Sequence, residues 1–472
     1  MRTEPPIPKE LWDTIPPAAQ AALLVAFEQL DREVADLKSR LNQNSTNFSR
    51  PPSSDPPSVK RVPTQPPSGK KRGGQLGHDP HRRALVPPEK VKESFDIRPE
   101  ICRSCGQPLL GDDSEPWRHQ VAELPPIEPV VTEYRLHRLI CPRCGTKTCG
   151  QIPAGVPRGA FGPRLQSVFS LLAGAYRLAK EPIQALAFDL FGLSVSTGMV
   201  CKLERNTSAC LEAPVEELRQ YVRTQDAGAD ETSWRENRSK AWLWVVVTKA
   251  VTVFCIASSR GAKVIREMLG ENYRGVLTSD RWTAYGWIKR RQLCWAHLRR
   301  DFQAMIDRCN SGSDIGTCLL SLSDQMFHWW HRVRDGTLAR SSFQKYVGPL
   351  RHAMHEQLER GAECSCKKTA GTCRKLLKQE SAMWTFVWVE GVEPTSNGPE
   401  RTLRHGVLWR KSSGGTDSPA GSRFVERMLS VVATCRQQNR NVLDLLTACC
   451  RARLDGSAAP SLLPAEAELA AA

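Results

Sequence analysis

The sequence predicts a multidomain α+β protein with an α/β domain near its middle, and three observations support this prediction. Two strand-length apolar runs, Ala241–Val247 and Val251–Ala257, flank Lys249-Ala250, which is typical of an antiparallel hairpin. A helical segment at Ala262–Leu269 follows, and a third apolar run then ends at Ser279. Two pairs of cysteines and several stretches with helical periodicity precede this region, so we expect smaller modules before the α/β domain.

The composition favours a polyanionic partner. The chain has 472 residues and a formal net charge of +16, and such a length is typical of about three domains. Nucleic acid is the first candidate partner. An anionic membrane surface is the second, but no basic amphipathic anchor or lipidation motif supports it. The sequence has no apolar run of about 18 residues and no apolar signal core at its start, so we expect no membrane span and a cytoplasmic, nucleoid-associated protein.

Residues 1–43 are predicted to form a coiled-coil helix. Apolar residues alternate spacings of four and three with charged residues between them, which is the pattern of an a/d seam. The seam is shorter than three heptads, so two interpretations fit. One is a dimerisation helix, which would make the protein a homodimer or a higher oligomer, and the other is an amphipathic helix that packs on its own chain. The seam residues are Leu23, Phe27, Leu30, Val34, Leu37 and Leu41.

Residues 44–98 are predicted to form a linker that is first rich in Ser and Pro and then basic and rich in Gly. A dense Ser/Pro segment cannot form a core, so we expect it to be extended. Lys70, Lys71 and Arg72 lie among glycines, in the kind of segment that tracks phosphates or enters a minor groove. DNA binding by these three residues is one interpretation, and a solvated linker is the other.

Residues 99–152 are predicted to form a zinc-binding domain. Cys102-x-x-Cys105 and Cys141-x-x-Cys144 each turn two sulfurs toward one point, and two such pairs fit a tetrahedral thiolate site for structural Zn²⁺. Without a secretion signal, the 17 cysteines of the chain are expected to be thiols and metal ligands rather than a disulfide framework.

Residues 160–224 are predicted to form a helical region. Helical patterns cover Leu165–Leu178 and Pro182–Phe191, Gly192 breaks the second, and residues 194–197 supply a cap for a third helix. A helix, a short Gly turn and another helix resemble a helix-turn-helix, which would read DNA. The alternative is a helical connector between the zinc-binding domain and the α/β domain.

Three acidic residues form the candidate catalytic site. The predicted order of elements places Asp230 and Asp280 at the ends of two strands, and Glu400 lies at a predicted helix start with Pro399 in its first turn. If the two strands are neighbours, about 4.8 Å apart, the two aspartates can share a divalent ion. Phosphodiester cleavage suits carboxylates that hold two Mg²⁺ ions, because charge must be stabilised on both the attacking and the leaving oxygen. The alternative is that these are three of 50 acidic residues on a solvated surface.

Several stretches resemble the insertion sequence 66 family of bacterial transposases. They are Ala229-Asp230-Glu231-Thr232, Thr278–Tyr285, Cys294–Phe302, Asn397-x-x-Glu400-Arg401-x-x-Arg404 and the Pro-Pro-Ser-Ser-Asp signature at residues 51–55. The resemblance covers nearly the whole chain. It implies an RNase H-like catalytic domain with an Asp-Asp-Glu site, in which Asp230, Asp280 and Glu400 are ligands of Mg²⁺ or Mn²⁺.

The catalytic domain is expected in two parts, residues 225–302 and 384–452, with a helical insertion at residues 303–383 between them. The separation of Asp280 and Glu400 in the chain is larger than a simple RNase H-like core needs, and Met305–Lys378 has a mostly helical pattern. Near the end of the insertion, Cys364, Cys366 and Cys373 are candidates for a second metal site. The last segment, residues 453–472, is predicted to be a disordered tail.

Basic residues near the three acids are candidate DNA contacts. His297 and Arg300 follow a predicted strand, Gln292–Trp295, and could approach the scissile phosphate, although a packed structural histidine fits equally well. On the predicted helix, Arg404 and Lys411 share a face with Glu400, so phosphate-binding cations would lie beside the acid. A solvated basic face is the alternative. The full set of these candidates is His297, Arg300, Arg401, Arg404 and Lys411.

The resemblance implies a transposase that cuts DNA at the terminal inverted repeats of a mobile element and joins the ends to target DNA. Helper proteins of the same element are further candidate partners. Two alternatives stay open. One is a zinc-containing DNA-binding protein of transposon origin whose catalytic site has decayed, because Thr395-Ser396-Asn397 stands where the family commonly has Asp-Asn-Asn. The other is a two-metal nuclease without strand transfer.

Overall fold

The computed structural model describes residues 8–41, 44, 73, 77, 78 and 83–464. The chain divides into two compact units, Lys60–Val130 and the remainder. The candidate DNA-binding residues Lys70, Lys71 and Arg72 lie outside the described residues. In the described part of the chain, no helix has the length and apolar content needed to cross a bilayer.

The smaller unit holds the first cysteine pair and little regular structure. A short 3₁₀ helix covers Pro88–Lys90. Gln120 connects distant segments, because its side chain accepts a hydrogen bond from the Val86 N–H at 2.8 Å and donates one to the Val86 carbonyl at 2.9 Å. The amide side chain of Gln120 therefore satisfies both backbone polar groups of Val86, as a paired strand would.

Two helices, α1 (Lys9–Trp12) and α2 (Pro17–Leu41), begin the larger unit. A helix within the predicted range of residues 1–43 is confirmed, and α2 ends at Leu41. The last four seam positions are exposed, at 53% for Leu30, 40% for Val34, 57% for Leu37 and 80% for Leu41. This part of the seam therefore does not pack on its own chain, and dimerisation through it stays a prediction.

A short hairpin and four helices follow. The hairpin joins β1 (Arg138–Ile140) to β2 (Lys147–Cys149), antiparallel to it. The three predicted helices are confirmed as α3 (Pro163–Gly174), α4 (Lys180–Phe191) and α5 (Thr197–Cys210), and a further helix, α6 (Glu212–Val222), was not predicted separately. Gly192 ends α4 with a left-handed φ of 62°, and the Ser196 hydroxyl accepts a hydrogen bond from Met199 N at 3.2 Å at the start of α5. These local signals explain why the helix boundaries could be predicted.

The α/β domain is built on a mixed five-stranded sheet. Its strands are β3 (Ala227–Glu236), β4 (Ser239–Val247), β5 (Thr252–Ala257), β6 (Leu277–Ser279) and β7 (Arg291–Leu293), and α7 (Ala262–Leu269) lies between β5 and β6 in the chain. The order across the sheet is β5-β4-β3-β6-β7. Strand β4 is antiparallel to β3 and β5, whereas β3, β6 and β7 are parallel. The predicted hairpin and the helix at 262–269 are confirmed.

Two predicted boundaries need correction. Asp230 does not end a strand, because β3 continues to Glu236 and its residues pair with β4 over that whole length. The polar residues of β3 are held in the sheet by this pairing, which a local reading of the sequence could not detect. Trp295 was predicted as the last residue of a strand, but it begins a helix, with Cys294 as its N-cap residue.

The predicted helical insertion is confirmed as helical and has its own core. It follows α8 (Trp295–Ile306) and contains α9 (Ser313–Arg334), α10 (Arg340–Glu363), α11 (Lys367–Leu377) and α12 (Glu380–Met383), and α13 (Thr385–Trp388) comes after it. Trp330 lies in this core, with its ring centroid 5.7 Å from Phe343 and 5.1 Å from Phe386. The insertion is therefore a packed helical unit that also covers one edge of the sheet.

The chain ends with three helices, α14 (Asn397–Ser413), α15 (Pro419–Gln437) and α16 (Val442–Asp455). The prediction of a disordered tail at 453–472 is wrong for its first part. Leu462 is fully buried, and its N–H donates to the Glu217 carboxylate at 3.2 Å. The Ala/Pro-rich composition favoured disorder, but a contact with a distant helix holds the segment around Leu462 in place.

Side chains of α15 satisfy the free edge of β5. The N–H groups of Thr252, Phe254 and Ile256 donate to Thr434 Oγ1 at 3.0 Å, Ser430 Oγ at 2.9 Å and a Glu426 carboxylate oxygen, respectively. The acceptors on α15 have nearly the same spacing as the donors on β5. Four helical residues rise about 6.0 Å, and two strand residues span about 6.7 Å. The unpaired edge is thus blocked against pairing with another chain.

The opposite edge, at β7, is covered in a similar way. Gln292 donates to the Met383 carbonyl at 3.1 Å and accepts from Phe386 N at 2.8 Å, and Thr385 donates to the Arg291 carbonyl at 2.5 Å. Both edges of the sheet are therefore covered by helices, which fixes the strands that carry the candidate site.

Ser430→Ala is expected to lower the free energy of unfolding by about 1–3 kcal/mol, because the buried Phe254 N–H would lose its acceptor. The matched control is Ser412→Ala on α14, an exposed residue whose hydroxyl bonds only carbonyls of its own helix. Thermal and urea unfolding of both variants measure the difference. Equal stability of the two variants would show that the side chains of α15 do not support the β5 edge.

Candidate active site

The two aspartates lie side by side on neighbouring parallel strands. Strand β3 pairs with β6 in the register Ala227↔Leu277 and Gly228↔Thr278, and continuing this register places Asp230 opposite Asp280, which directly follows β6. Neighbouring strands are about 4.8 Å apart. The structure therefore confirms that the strands of the two aspartates are neighbours in one sheet, although Asp230 lies within its strand.

Helix α14 reaches the same face of β3 and carries Glu400 in its first turn. Pro399 packs on Gly228, where an added Cβ would lie only 2.5 Å from Pro399 Cγ. Farther along the same face, Arg410 donates to Thr232 Oγ1 at 3.2 Å. Because alternate residues of a strand face the same side, Asp230 points toward α14 together with Gly228 and Thr232.

The acids repel one another in a partly buried place. Burial raises the pKa of Asp230 well above its usual range, and the nearby negative charges of Glu231, Glu400 and Asp280 raise it further. The Asp230 carboxylate accepts one backbone hydrogen bond, from Glu231 N at 2.8 Å, and the Asp280 carboxylate accepts one from Trp282 N at 2.8 Å. No described residue forms an ion pair with either aspartate, so a divalent cation would relieve this repulsion.

Asp230, Asp280 and Glu400 lie near one another without forming one compact group of ligand atoms. In the described part of the chain, Asp230, Asp280 and Glu400 do not form a group whose ligand atoms all lie within 4.8 Å of one another. Mg²⁺ binds oxygen at about 2.0–2.1 Å, and two ions in such sites are about 3.5–4 Å apart. Ligands at opposite ends of a two-ion site are therefore farther apart than ligands of one ion.

Glu231 faces the other side of β3, as the alternation of side chains predicts. Its carboxylate accepts hydrogen bonds from Arg260 at 2.9 Å and from the Tyr285 hydroxyl. Arg260 also lies over the rings of Trp282 at 4.0 Å and Trp242 at 4.8 Å. Glu231 is thus a buried structural acid, and its arginine partner supports the segment that follows Asp280.

A cluster of side chains around Glu400 was not assigned from the sequence. Cys294 Sγ accepts a hydrogen bond from Ser396 N at 3.2 Å, His297 Nδ1 lies 3.7 Å from Glu400 Oε1, and Ser396 Oγ lies 3.5 Å from Glu400 Oε1. The position of Ser396 shows that the departure from the family pattern falls in direct contact with Glu400. The Cys-x-x-His spacing at the start of α8 was the available signal for this cluster.

Cys294 and His297 shift each other's protonation. Burial lowers the pKa of His297, but the hydrogen bond and charge of Cys294 outweigh this effect and raise the pKa to about 9. Burial raises the pKa of the Cys294 thiol, but the hydrogen bond and charge of His297 and the Ser396 N–H bring it below its usual value. The pair therefore favours a thiolate beside an imidazolium.

The two cysteine pairs have the same backbone turn. In the first, Gly106 N donates to the Cys102 carbonyl at 2.9 Å, and in the second, Gly145 N donates to the Cys141 carbonyl at 2.9 Å. Both glycines have a left-handed φ, 72° and 71°. Hydrogen bonds from the backbone N–H groups of Cys105 and Ser104 lower the pKa of the Cys102 thiol. Each turn presents two sulfurs, which fits the thiolate ligands that Zn²⁺ requires.

The cysteines near the end of the insertion do not make a comparable site. Cys373 is fully buried against Gly361, and Cys366 accepts a hydrogen bond from Asn310 at 3.4 Å. Within the residues that the structure describes, Cys364, Cys366 and Cys373 do not form a group of ligand atoms within 4.8 Å. The candidate second metal site in the insertion therefore has no support from the geometry.

Comparison with known families identifies the family of this chain. The model for the IS66 family of transposases matches residues 169–423, which is more than half of the chain. The chain belongs to the IS66 family of transposases. A model for the zinc-finger binding domain of IS66 transposases matches residues 99–145, and a model for a family of unknown function matches residues 8–84. The expected family, the zinc-binding domain and a transposase-type function are thus confirmed.

Two curated relatives come from Sinorhizobium fredii, and both are described as uncharacterized proteins. The protein y4qI is 24% identical over 237 residues, which cover 44% of this chain and 43% of the relative. The protein y4hP is 24% identical over 382 residues, which cover 72% of this chain and 68% of the relative. The match therefore spans less than half of y4qI and about two thirds of y4hP.

The candidate basic residues of this transposase occupy different places. Arg404 and Lys411 are exposed on α14. The Arg300 guanidinium lies 3.3 Å from His297 Nε2, so these two candidates contact each other. Arg401 lines a cavity of ≈ 250 Å³, and Asp230, Asp280 and Glu400 are not among the residues that line it. The sequence did not single out the other basic residues of this cavity, which are Arg177, Arg436 and His405.

Gly228→Ala is expected to lower the free energy of unfolding by about 1–3 kcal/mol, because the new Cβ would force α14 away from β3. Gly398→Ala is the matched control, since nothing lies within 4 Å of the position of its Cβ at the start of the same helix. Thermal unfolding measures both. Equal midpoints for the two variants would contradict the close approach of Pro399 to β3.

Purified transposase is expected to hold one tightly bound zinc per chain, and Cys102→Ser with Cys105→Ser should lose it. Acidification should release the metal, because the ligands must be thiolates. Cys364→Ser with Cys366→Ser is the control and should keep the zinc. Elemental analysis of freshly purified protein measures the content, and absence of zinc would overturn the expectation.

Proposed function

We propose that this transposase has an RNase H-like catalytic domain that cleaves DNA at the terminal inverted repeats of its element and joins the ends to target DNA. Asp230, Asp280 and Glu400 are the proposed ligands of two Mg²⁺ or Mn²⁺ ions. The observation that supports this best is the convergence on one side of β3, where the strand register pairs the two aspartates and Pro399 seats the first turn of α14.

The topology supports the RNase H-like assignment. The first strand of the domain is central, the second is antiparallel to it, and the fourth and fifth lie parallel on its other side. Glu400 arrives from a helix after the packed insertion, far along the chain from Asp280. The insertion does not interrupt the sheet, because it enters after β7 at an edge.

The donor set fits Mg²⁺, because all three side chains offer oxygen, and burial together with the neighbouring carboxylates raises the pKa of Asp230. When bound, two such ions stabilise the charge that develops on the attacking and leaving oxygens. Asp230 and Asp280 hold the site from the sheet, and Glu400 holds it from α14. No Tyr or Ser motif indicates a covalent protein–DNA intermediate, so water and then the freed 3′-hydroxyl are the proposed nucleophiles.

Cations around the acids are the proposed phosphate contacts. Arg404 and Lys411 lie at helical spacing from Glu400, so they would bind the DNA backbone beside the cleaved bond. Arg300 contacts His297 near Glu400 and would meet the same strand. Arg401 would bind phosphate at the separate cavity that it lines with Arg177 and Arg436. The net charge of +16 supports DNA as the main partner.

The remaining parts of the chain would serve assembly. Cys102, Cys105, Cys141 and Cys144 would hold structural Zn²⁺ in the zinc-finger domain, and Lys70, Lys71 and Arg72 would add phosphate contacts. Helices α4 and α5 would read element ends, and the exposed seam of α2 would pair with a second copy. These roles would place the protein on DNA as a homodimer or a higher oligomer, with helper proteins of the same element as further partners.

Each of Asp230→Ala, Asp280→Ala and Glu400→Ala is expected to abolish cleavage of element ends while leaving DNA affinity nearly unchanged. Metal ligands act on charge in the transition state, whereas affinity comes mainly from cations elsewhere. Gel assays of cleavage, strand joining and binding with Mg²⁺ or Mn²⁺ measure the three activities separately.

Glu231→Gln is the matched control for these variants, because Glu231 is adjacent in sequence but faces the other side of β3. It should keep part of the activity. Binding without cleavage by the wild-type protein would favour the decayed DNA-binding protein, and cleavage without joining would favour the nuclease. Cleavage that survives in Glu400→Ala would show that another acid completes the site.

A further inference from the structure

Three different metal-ligating side chains converge beside the proposed catalytic site. In the described ranges of the chain, Cys294, His297 and Glu400 form a group whose ligand atoms all lie within 4.8 Å of one another. The group offers one sulfur, one nitrogen and one oxygen, which is a donor set that Zn²⁺ accepts and Mg²⁺ does not. The cluster therefore differs in chemistry from the site of three carboxylates, with which it shares Glu400.

The spacing is close to that of a tetrahedral ion. Zn–S, Zn–N and Zn–O distances of about 2.0–2.3 Å place neighbouring ligands roughly 3.3–3.8 Å apart. His297 Nδ1 is already 3.7 Å from Glu400 Oε1. The adjustment needed to bind an ion is therefore small, and the partly exposed Glu400 side chain, at 32%, leaves a route to solvent.

Two of the ligands are held in place before any ion binds. Cys294 is the N-cap residue of α8, and His297 N donates to its carbonyl at 3.1 Å, so both belong to one turn. Ser396 N donates to Cys294 Sγ at 3.2 Å, which is the kind of N–H···S bond that supports a thiolate ligand. His297 Nδ1 is buried and, apart from Cys294 and Glu400, has no polar partner among the described residues, so this atom is available to a metal.

One neighbour opposes metal binding. Arg300 Nη1 lies 3.3 Å from His297 Nε2. An ion on Nδ1 would leave the ring proton on Nε2, and two donors would then face each other. The positive guanidinium also repels a cation. Arg300 must turn away when the ion binds, so its removal should strengthen binding.

We propose that Cys294, His297 and Glu400 bind a thiophilic divalent ion of the zinc class, with water at the fourth position, and that this ion withdraws Glu400 from the catalytic site. The inhibitory effect rests on the proposed function, because it requires Glu400 to be a ligand of the catalytic ions. Soft and borderline ligands select zinc over magnesium. Zinc would thus inhibit the transposase in the presence of excess magnesium.

The binding test uses the full chain with its zinc finger already filled, in excess Mg²⁺. Zn²⁺ is added against a colorimetric chelator, and we expect one additional equivalent of lower affinity than the finger. Cys294→Ser and His297→Ala should weaken this equivalent by more than about 100-fold, since even residues that only support a ligand contribute 10–100-fold. Arg300→Ala should tighten it, and Cys364→Ser, a half-buried cysteine of the insertion, should leave it unchanged.

This measurement needs no DNA, so it shows whether the metal site exists even if the wild-type protein does not cleave. Absence of the additional equivalent in wild type, or an equivalent unaffected by both Cys294→Ser and His297→Ala, overturns the proposal. Circular dichroism confirms that each variant is folded, and Arg300→Ala tests the site without removing a ligand.

The inhibition test compares cleavage rates with and without added Zn²⁺ within each variant. The rate with zinc, divided by the rate without zinc, should fall below one in wild type and further below one in Arg300→Ala. In Cys294→Ser this ratio should stay near one. Zinc that binds the site while Mg²⁺-dependent cleavage continues at full rate would overturn the inhibitory role. A wild-type protein that never cleaves counts against the proposed function instead.

Discussion

The contact between Pro399 and Gly228 is the constraint on which the candidate site depends. Glu400 is the next residue after Pro399, so the distance between helix and strand sets the distance between Glu400 and Asp230. Gly228 allows this approach because any Cβ there would overlap the proline ring. Gly406, two turns later in the same helix, also allows a close approach to the sheet, because an added Cβ would overlap Leu243. The helix is therefore held on the sheet at two points, and its acid is fixed by packing.

The packing works against electrostatics at the site. Asp230 is held near three other carboxylates, and burial together with their charges raises its pKa. For an acid whose pKa is raised by folding, stability is lost as pH increases from the unfolded pKa toward the folded one. The raised pKa of Asp230 therefore makes the fold less stable at neutral pH than at low pH. The rest of the domain must offset this cost, and the hydrogen bonds of α15 to the β5 edge contribute to that stability.

The sequence predicted the parts of the fold that depend on local patterns. The hairpin, the helix at Ala262–Leu269 and the helices of the insertion follow from periodicity and caps, and the structure has all of them. The extent of β3 was not predictable in this way, because pairing with β4 holds Asp230 and Thr232 in a strand that has no apolar pattern. Order in the segment around Leu462 likewise depends on Glu217, which lies far away in the chain.

The sequence predicted the three acids of the candidate site, but it did not predict the side chains that contact Glu400. Family-like motifs indicated the three carboxylates, and the register of β3 and β6 explains how two of them meet. The contact of Cys294 with Ser396 joins two loops that are far apart in sequence, so no local pattern reveals it. The Cys-x-x-His spacing alone does not identify Glu400 as a third ligand, because that requires knowing where α14 begins relative to α8.

The most direct test of this account is the thermal unfolding of wild type and Asp230→Asn, each with and without Mg²⁺. Asparagine keeps the shape and the acceptor of the side chain but removes the charge. Without metal, Asp230→Asn should unfold at a higher temperature than wild type, and Mg²⁺ should raise the midpoint of wild type by a few degrees and that of the variant much less. A variant that is no more stable than wild type, together with an equal response of both proteins to Mg²⁺, would contradict a site in which packing holds mutually repelling carboxylates for a metal.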